Sequence, residues 1–293
     1  MTDMQTLQNC AEQLNQSEDF QVLNKLIAKT EFNPPTAEST HKVCIIDTET
    51  TGLDTDVCEI IELGYQIIEF DSHGNFYKVL SAKNYLNEPD GEITAEVTQV
   101  TGLTMDDVKG HKIPWQEVEA EISQVQLCVA HNAGFDRPVV ERYSDIFINK
   151  IWGCSVAQID WLKQAHVGSR SQEFLCWKVG QFFYGAHRAL DDVQALTQLL
   201  SCPISENKVP AFSFLLEAVR QSKSLVKATG APFDIKDDLR SRGYRWNVGE
   251  RVWQKVLDDS KLQDELAWLI EHQTPNPNVI KLKATDSFSI RAR

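Results

Sequence analysis

The stretch VCIIDTETTGLD, Val43 to Asp54, decides how the rest of the chain is read. Val43 to Ile46 begin a strand bound for the interior, yet the run ends on Asp47 and Glu49. An uncompensated buried carboxylate costs several kcal/mol, comparable to a domain's margin of stability, so a positive partner is required. Two residues apart on a strand, the acids point to one face while Thr48 points away. Thr50, Thr51 and Gly52 then turn the chain and leave the pair open at a cleft. Aligned carboxylates at a strand end make half of a site for a hard cation such as Mg²⁺ or Mn²⁺, which favours oxygen ligands. The pattern alone is short and common, and an acidic surface turn is the simpler reading of it.

Upstream, Leu7, Ala11 and Leu14 recur at helical spacing, and Ser17 with Glu18 and Asp19 signals a second helix carrying Phe20, Leu23 and Ile27. Residues 1–40 are therefore expected to hold two short amphipathic helices, broken by Asn33-Pro34-Pro35. Downstream, CEIIELGYQIIEF and NFYKVLSAKNYL read as further strands. LCVAH and WGCSVAQ continue the sheet, with helices over AGFDRPVVERY, FLCWKVGQFF and ALDDVQALTQLL. The alternation predicts a mixed α/β sheet flanked by helices over residues 41–202. SCPISENKVP, Ser201 to Pro210, is the best linker candidate, within a linker and helix over 203–219. Residues 220–293 read as a small α+β module. Its strands are SLVKA, YRWN, VWQKVL and VIKLKA, with one helix capped by Asp234 and ending at Gly243 and another over KLQDELAWLIEH.

A chain of 293 residues with 42% hydrophobic content holds enough material for a sizeable core. The opening MTDMQTLQNC lacks a cationic then apolar export pattern, and no run approaches the roughly 20 apolar residues of a membrane helix, so no membrane association is expected. The seven cysteines lie scattered without a CxxC pair and read as reduced thiols of a cytoplasmic protein. The net charge of -13 argues against a polyanionic partner, but its distribution matters more than its sum. Between Arg220 and Val256 nine basic residues face four acidic ones, against an acidic remainder.

Two further stretches carry chemistry. In AHNAGFDRP, Asp136 falls in the first turn of a helix, where a carboxylate also complements the helix dipole. In GAHRALDDVQAL, His187 and Asp192 are five apart, which places His187 just before a helix and Asp192 on it. Singly, a structural histidine and a solvated aspartate account for them.

Jointly, DTETTGL, HNAGFD and HRALDD resemble the three motifs of the DEDD exonuclease superfamily, in the branch whose third motif carries histidine. This is the family of the proofreading epsilon subunit of bacterial DNA polymerase III, oligoribonuclease and ribonuclease T. The resemblance covers roughly Lys42 to Leu200. It implies a ribonuclease H-like fold and two divalent ions, Mg²⁺ or Mn²⁺. Asp47, Glu49 and Asp192 would hold one, Asp47 would also touch the second, and Asp136 would bind that second ion through water. It implies His187 as general base, its ordinary pKa near 6.5 suiting the task. The family's spacing selects Asp192, although helical geometry alone would sooner set Asp191 beside His187. Thr48, Thr51, Leu53 and Asn132 are expected at the terminal nucleotide, with VTGLT, Val100 to Thr104, against the last bases.

The implied activity is 3'-5' hydrolysis of DNA to 5'-mononucleotides, with association with a polymerase among the implied partnerships. Trimming of RNA is the near alternative, since the same chemistry serves either backbone. An adaptor that grips 3' ends is the alternative from another class, and the intact acidic set weighs against it. In the C-terminal module Arg240, Arg242, Arg245 and Lys255 interleave with Tyr244 and Trp246, as single-stranded nucleic acid prefers. The same aromatics equally serve as the core of a small module.

Overall fold

The computed structural model describes residues 3–35 and 38–292. At its centre lies β1 (His41–Thr50). Val43 and Ile45 enter one apolar cluster and Cys44 and Ile46 another, so the strand is buried on both faces. β2 (Ile60–Phe70) and β3 (Phe76–Leu86) follow as an antiparallel meander. β4 (Leu127–Ala130) and β5 (Ile151–Cys154) then add in parallel on the other side of β1. The order β3-β2-β1-β4-β5 is the mixed, ribonuclease H-like sheet that the resemblance implies.

Helices cover both faces. α2 (Trp115–Ser123) and α3 (Ala133–Glu141) bury Val118, Ile122, Val139 and Val140 in the cluster beneath Cys44 and Ile46. On the opposite face α4 (Ala189–Ser201) and α5 (Ala211–Arg220) bring Val193, Leu196, Leu199, Phe212 and Leu215 onto Val43 and Ile45. α4 begins so close to β2 that a Cβ on Gly64 would lie 2.4 Å from the carbonyl carbon of Ala189. Glycine is required there by the close approach.

Two expectations about the flanks are corrected. α1 (Met4–Asn15) forms, but the second N-terminal helix does not. Instead Asn24–Lys25 pairs in parallel with Phe182–Phe183, Leu26 packs against the core, and Phe20 and Ile27 stay exposed. A short isolated helix is marginal, and an edge pairing with a packed Leu26 outweighs it. The linker reading of Ser201 to Pro210 also fails, because Pro203–Ile204 pairs with Val209–Pro210 and α5 is part of the main core. The first domain therefore runs through Arg220.

Beyond it, β6 (Lys223–Lys227), α6 (Lys236–Ser241), β7 (Arg245–Asn247), β8 (Val252–Asp258), α7 (Leu262–Glu271) and β9 (Asn278–Lys281) form a βαββαβ unit. Its antiparallel sheet runs β7-β8-β6-β9, the split βαβ arrangement. Val226, Leu239, Tyr244, Leu257 and Leu269 make its core. Gly243, at φ +90°, ends the helical stretch as expected, but Asp234 does not cap α6, whose N-cap is Ile235 without a side-chain bond. The terminal segment then returns to the first domain, where buried Arg137 donates to the carbonyls of Ser287 (2.6 Å) and Thr285 (2.5 Å). Among the described residues no helix is long and apolar enough to cross a membrane, and all seven cysteines are unpaired.

Candidate active site

Asp47 and Glu49 share one face of β1, as strand alternation requires, and Asp192 reaches them from the first turn of α4. One carboxylate oxygen of each lies within 4.8 Å of the others. Asp191, its neighbour, is exposed. Asp136 is buried at the start of α3, where its Oδ1 accepts from the Thr48 N–H (3.1 Å) and hydroxyl (2.9 Å). Thr48 points away from its two acidic neighbours, as alternation predicts, and thereby ties β1 to Asp136. Both its backbone N–H and its hydroxyl proton are engaged there.

The positive partner demanded by burial is not a side chain. Among the described residues no ion pair involves Asp47, Glu49, Asp136 or Asp192. Burial, reinforced by the charges of Asp136, Asp192 and Glu49, pushes Asp47 well above the usual carboxylate range. Burial and then Asp192 and Glu62 push Glu49 to about 8. Burial lifts Asp136 to about 7, against the opposing bonds from Thr48. Burial also raises Asp192, opposed by the bonds from Tyr184 and the His187 N–H. Convergent acids with only oxygen donors, their carboxyls raised first by burial and then by one another's charge, fit a hard divalent cation.

Asp192 is held on every side. Its Oδ1 accepts from the Tyr184 hydroxyl (2.7 Å) and Gln172 Nε2 (3.1 Å), and its Oδ2 from the N–H groups of His187 (2.7 Å) and Arg188 (3.2 Å). His187 lies just before α4, exposed, at φ +67°. Sequence reasoning missed Gln172 and Tyr184, which belong to no motif. It also missed Glu62, fully buried on β2 opposite Glu49 and paired with Arg188. Burial raises Glu62, but bonds from Arg188, Asn84 and the Ala189 N–H outweigh it and hold the group below its ordinary value. A lone charge inside the apolar run IIELGYQII was the signal available.

The remaining expected positions divide. Leu53 is 90% exposed at the turn after β1, and Asn132 is exposed at the start of α3. Thr51 accepts from the Glu59 N–H (2.9 Å) and pins that turn. In the C-terminal module Tyr244 is buried in the core. Arg242 and Lys255 both pair with the buried Glu265, at 2.9 and 3.1 Å, so these three serve the module's own packing. Arg240, Arg245 and Trp246 stay on the surface, Trp246 at 47% exposure and edge-on to Trp253.

A family described as Exonuclease matches residues 44–200, more than half of the chain. The chain is 31% identical over 164 residues to a DNA polymerase III PolC-type protein of Thermotoga maritima, covering 53% of this chain and 11% of that protein. It is 28% identical over 171 residues to the DNA polymerase III subunit epsilon of Treponema pallidum, covering 55% of this chain and 75% of that protein. The chain thus spans about a tenth of the length of the PolC-type proteins it matches. Among solved structures, Exonuclease X in complex with 5' overhanging duplex DNA has a TM-score of 0.42 at 22% identity, covering 58% of this chain and 99% of that one. E. coli Exonuclease I with a dA16 oligonucleotide has a TM-score of 0.46 at 15% identity, covering 84% and 66%.

Proposed function

The chain belongs to the Exonuclease family, and on that premise we propose a metal-dependent 3'-5' exonuclease that releases 5'-mononucleotides from single-stranded or frayed 3' ends of DNA. The observation that carries this reading is the convergence of Asp47, Glu49 and Asp192, with exposed His187 bonded through its backbone to Asp192. These acids, with Asp136 beside them, would hold two divalent cations, Mg²⁺ or Mn²⁺. When bound, such ions neutralise the substrate phosphate and acidify water.

The chain's own groups do the rest. His187, exposed just before α4, takes the proton of the attacking water on a ring nitrogen. Asp192 fixes the turn that presents it. Exposed Leu53 offers an apolar face to the terminal base, and Thr51 holds the turn on which Leu53 rides. Exposed Arg240, Arg245 and Trp246 give longer single strands a second, weaker hold. Association with a polymerase, in the company its relatives' names describe, and a cytoplasmic location complete the proposal.

The test is purified protein with Mg²⁺ or Mn²⁺ against 5'-end-labelled single-stranded DNA, duplex DNA and RNA, with Asp47→Ala beside it. A DNA ladder shortening from the 3' end, absent with Asp47→Ala and in excess chelator, is the expected result. Shortening of RNA alone turns the reading to RNA trimming. Tight binding of 3' ends without cleavage makes the chain an adaptor.

A further inference from the structure

Glu62 is fully buried in the middle of the sheet, directly opposite Glu49 in the β1–β2 register. A carboxylate there adds like charge to a cluster already short of cations, so apolar packing does not explain it. Its bonds do. Glu62 accepts from Arg188 at Nε (3.2 and 3.1 Å to its two oxygens) and Nη2 (2.8 Å), from the Ala189 N–H (3.0 Å) and from Asn84 Nδ2 (2.8 Å).

Arg188 and Ala189 are the two residues that follow His187. The N–H groups of His187 and Arg188 go the other way, to Asp192. The turn is therefore gripped between two carboxylates, one from β2 and one from α4. It needs that grip, because His187 sits at φ +67°, a conformation that residues other than glycine rarely adopt. Gly64, on the same face of β2 as Glu62, clears the space into which Ala189 fits.

We infer that Glu62 is a positioning residue for His187: through Arg188 and Ala189 it holds the turn that presents the imidazole to the cleft. The inference rests on the reading of His187 as the group that accepts a proton. If the pair merely anchored α4, its loss would lower the melting temperature and leave the imidazole and the division of effect between kcat and KM untouched.

The experiment compares full-length wild type, Glu62→Gln, Arg188→Ala and the double variant. Because Arg188→Ala leaves buried Glu62 without its cation and is itself expected to lower the melting temperature, the double variant Glu62→Gln with Arg188→Ala, which removes both charges, decides the matter if either single variant melts early. Three quantities are read: the melting temperature, kcat and KM on a single-stranded oligonucleotide with Mn²⁺, and the His187 ring resonances of metal-free protein, assigned with His187→Gln. Each folded variant is expected to lower kcat about 10- to 100-fold with KM within about twofold, since small misplacements of a reacting group cost this much. The double variant is expected to be no worse than the poorer single one, because both break one clamp. The His187 resonances are expected to shift and broaden. A folded Arg188→Ala with wild-type kcat, losses that multiply in the double variant, or unchanged His187 resonances overturns the inference. If wild-type protein cleaves no nucleic acid, the proposed function falls, and the resonances alone then decide whether Glu62 positions His187.

Discussion

The Tyr184 hydroxyl donates to Oδ1 of Asp192 at 2.7 Å, while Oδ2 of the same carboxylate takes the N–H of His187 at 2.7 Å. One aspartate thus joins the acidic cluster to the turn that carries the histidine. Its orientation is set by a residue outside every motif.

Tyr184→Phe removes that hydroxyl and leaves Gln172 as the remaining side-chain donor to Oδ1. Groups that orient a metal-binding carboxylate commonly contribute 10- to 100-fold in affinity or rate. Mn²⁺ affinity measured by calorimetry is expected to fall by about 10-fold, with the melting temperature of metal-free protein unchanged. Equal affinities in the two proteins would remove Tyr184 from this role.

The acids give metal-free protein a pH dependence of definite sign. Asp47, Glu49 and Asp136 have folded values raised above their unfolded ones, with Glu49 at about 8 and Asp136 at about 7. Such groups stabilise the fold fully below their unfolded values of about 4, and that stability is lost as pH rises through the folded values. Thermal melts in chelator are expected to fall between about pH 4 and pH 8. Added Mn²⁺ is expected to abolish the slope, and a slope that persists with Mn²⁺ would assign it to other groups.

Asp47→Asn follows from the same repulsion with an opposite effect on function. It replaces a group whose charged form is opposed by burial and by its acidic neighbours, and should raise the melting temperature in chelator at pH 8. The rise is about 2–4 °C for each kcal/mol of relieved repulsion in a protein somewhat smaller than this one. Nuclease turnover should fall to background. A variant less stable than wild type under these conditions contradicts the electrostatic account.

The C-terminal segment is part of the first domain's interior bonding. Removing residues after Lys283 strips Arg137 of the carbonyls of Thr285 and Ser287, and Glu141 of Ser289 and Arg291. Each buried donor left unmade costs about 1–3 kcal/mol, so the truncated chain is expected to melt several degrees lower. Replacing both buried partners, Arg137→Met with Glu141→Leu, should recover most of the loss in the truncated chain, because apolar side chains need no acceptors. Failure to recover would place the destabilisation elsewhere in the tail.

For the module's surface, Trp246→Ala with Arg240→Ala and Arg245→Ala should weaken binding to a long single strand. The dependence of log affinity on log salt should lessen by about 0.7 for each lost phosphate contact. Dinucleotide hydrolysis should be unchanged. Arg242→Ala is the contrast, since Arg242 pairs with buried Glu265, and its loss should lower the module's melting temperature. An unchanged salt slope in the triple variant removes the second hold.

Legibility along the chain followed the range of the interaction. Val43 to Glu49 read correctly because alternation is local, and His187 was placed before α4 by a five-residue spacing that a continuous helix would turn away from Asp192. Phe20, Leu23 and Ile27 misled because helical periodicity says nothing of an edge near Phe182 that competes for the same backbone. Arg242 and Lys255 looked like open cations because their partner Glu265 lies on another element.

The amino-acid order alone determined that Asp47 and Glu49 face the same way, that a strand carries them to a turn, and that acids and a histidine recur in the order a nuclease of this family uses. The first two are consequences of the strand period, which a few neighbouring residues dictate, and the third is a resemblance to the motifs of a family. Only the tertiary structure brought Asp192 beside the pair, set Thr48 on Asp136, and placed Glu62 and Asp192 on either side of the histidine's turn. Those outcomes depend on which distant segments pack together, and packing is chosen by the burial of whole faces, not by any residue's immediate neighbours.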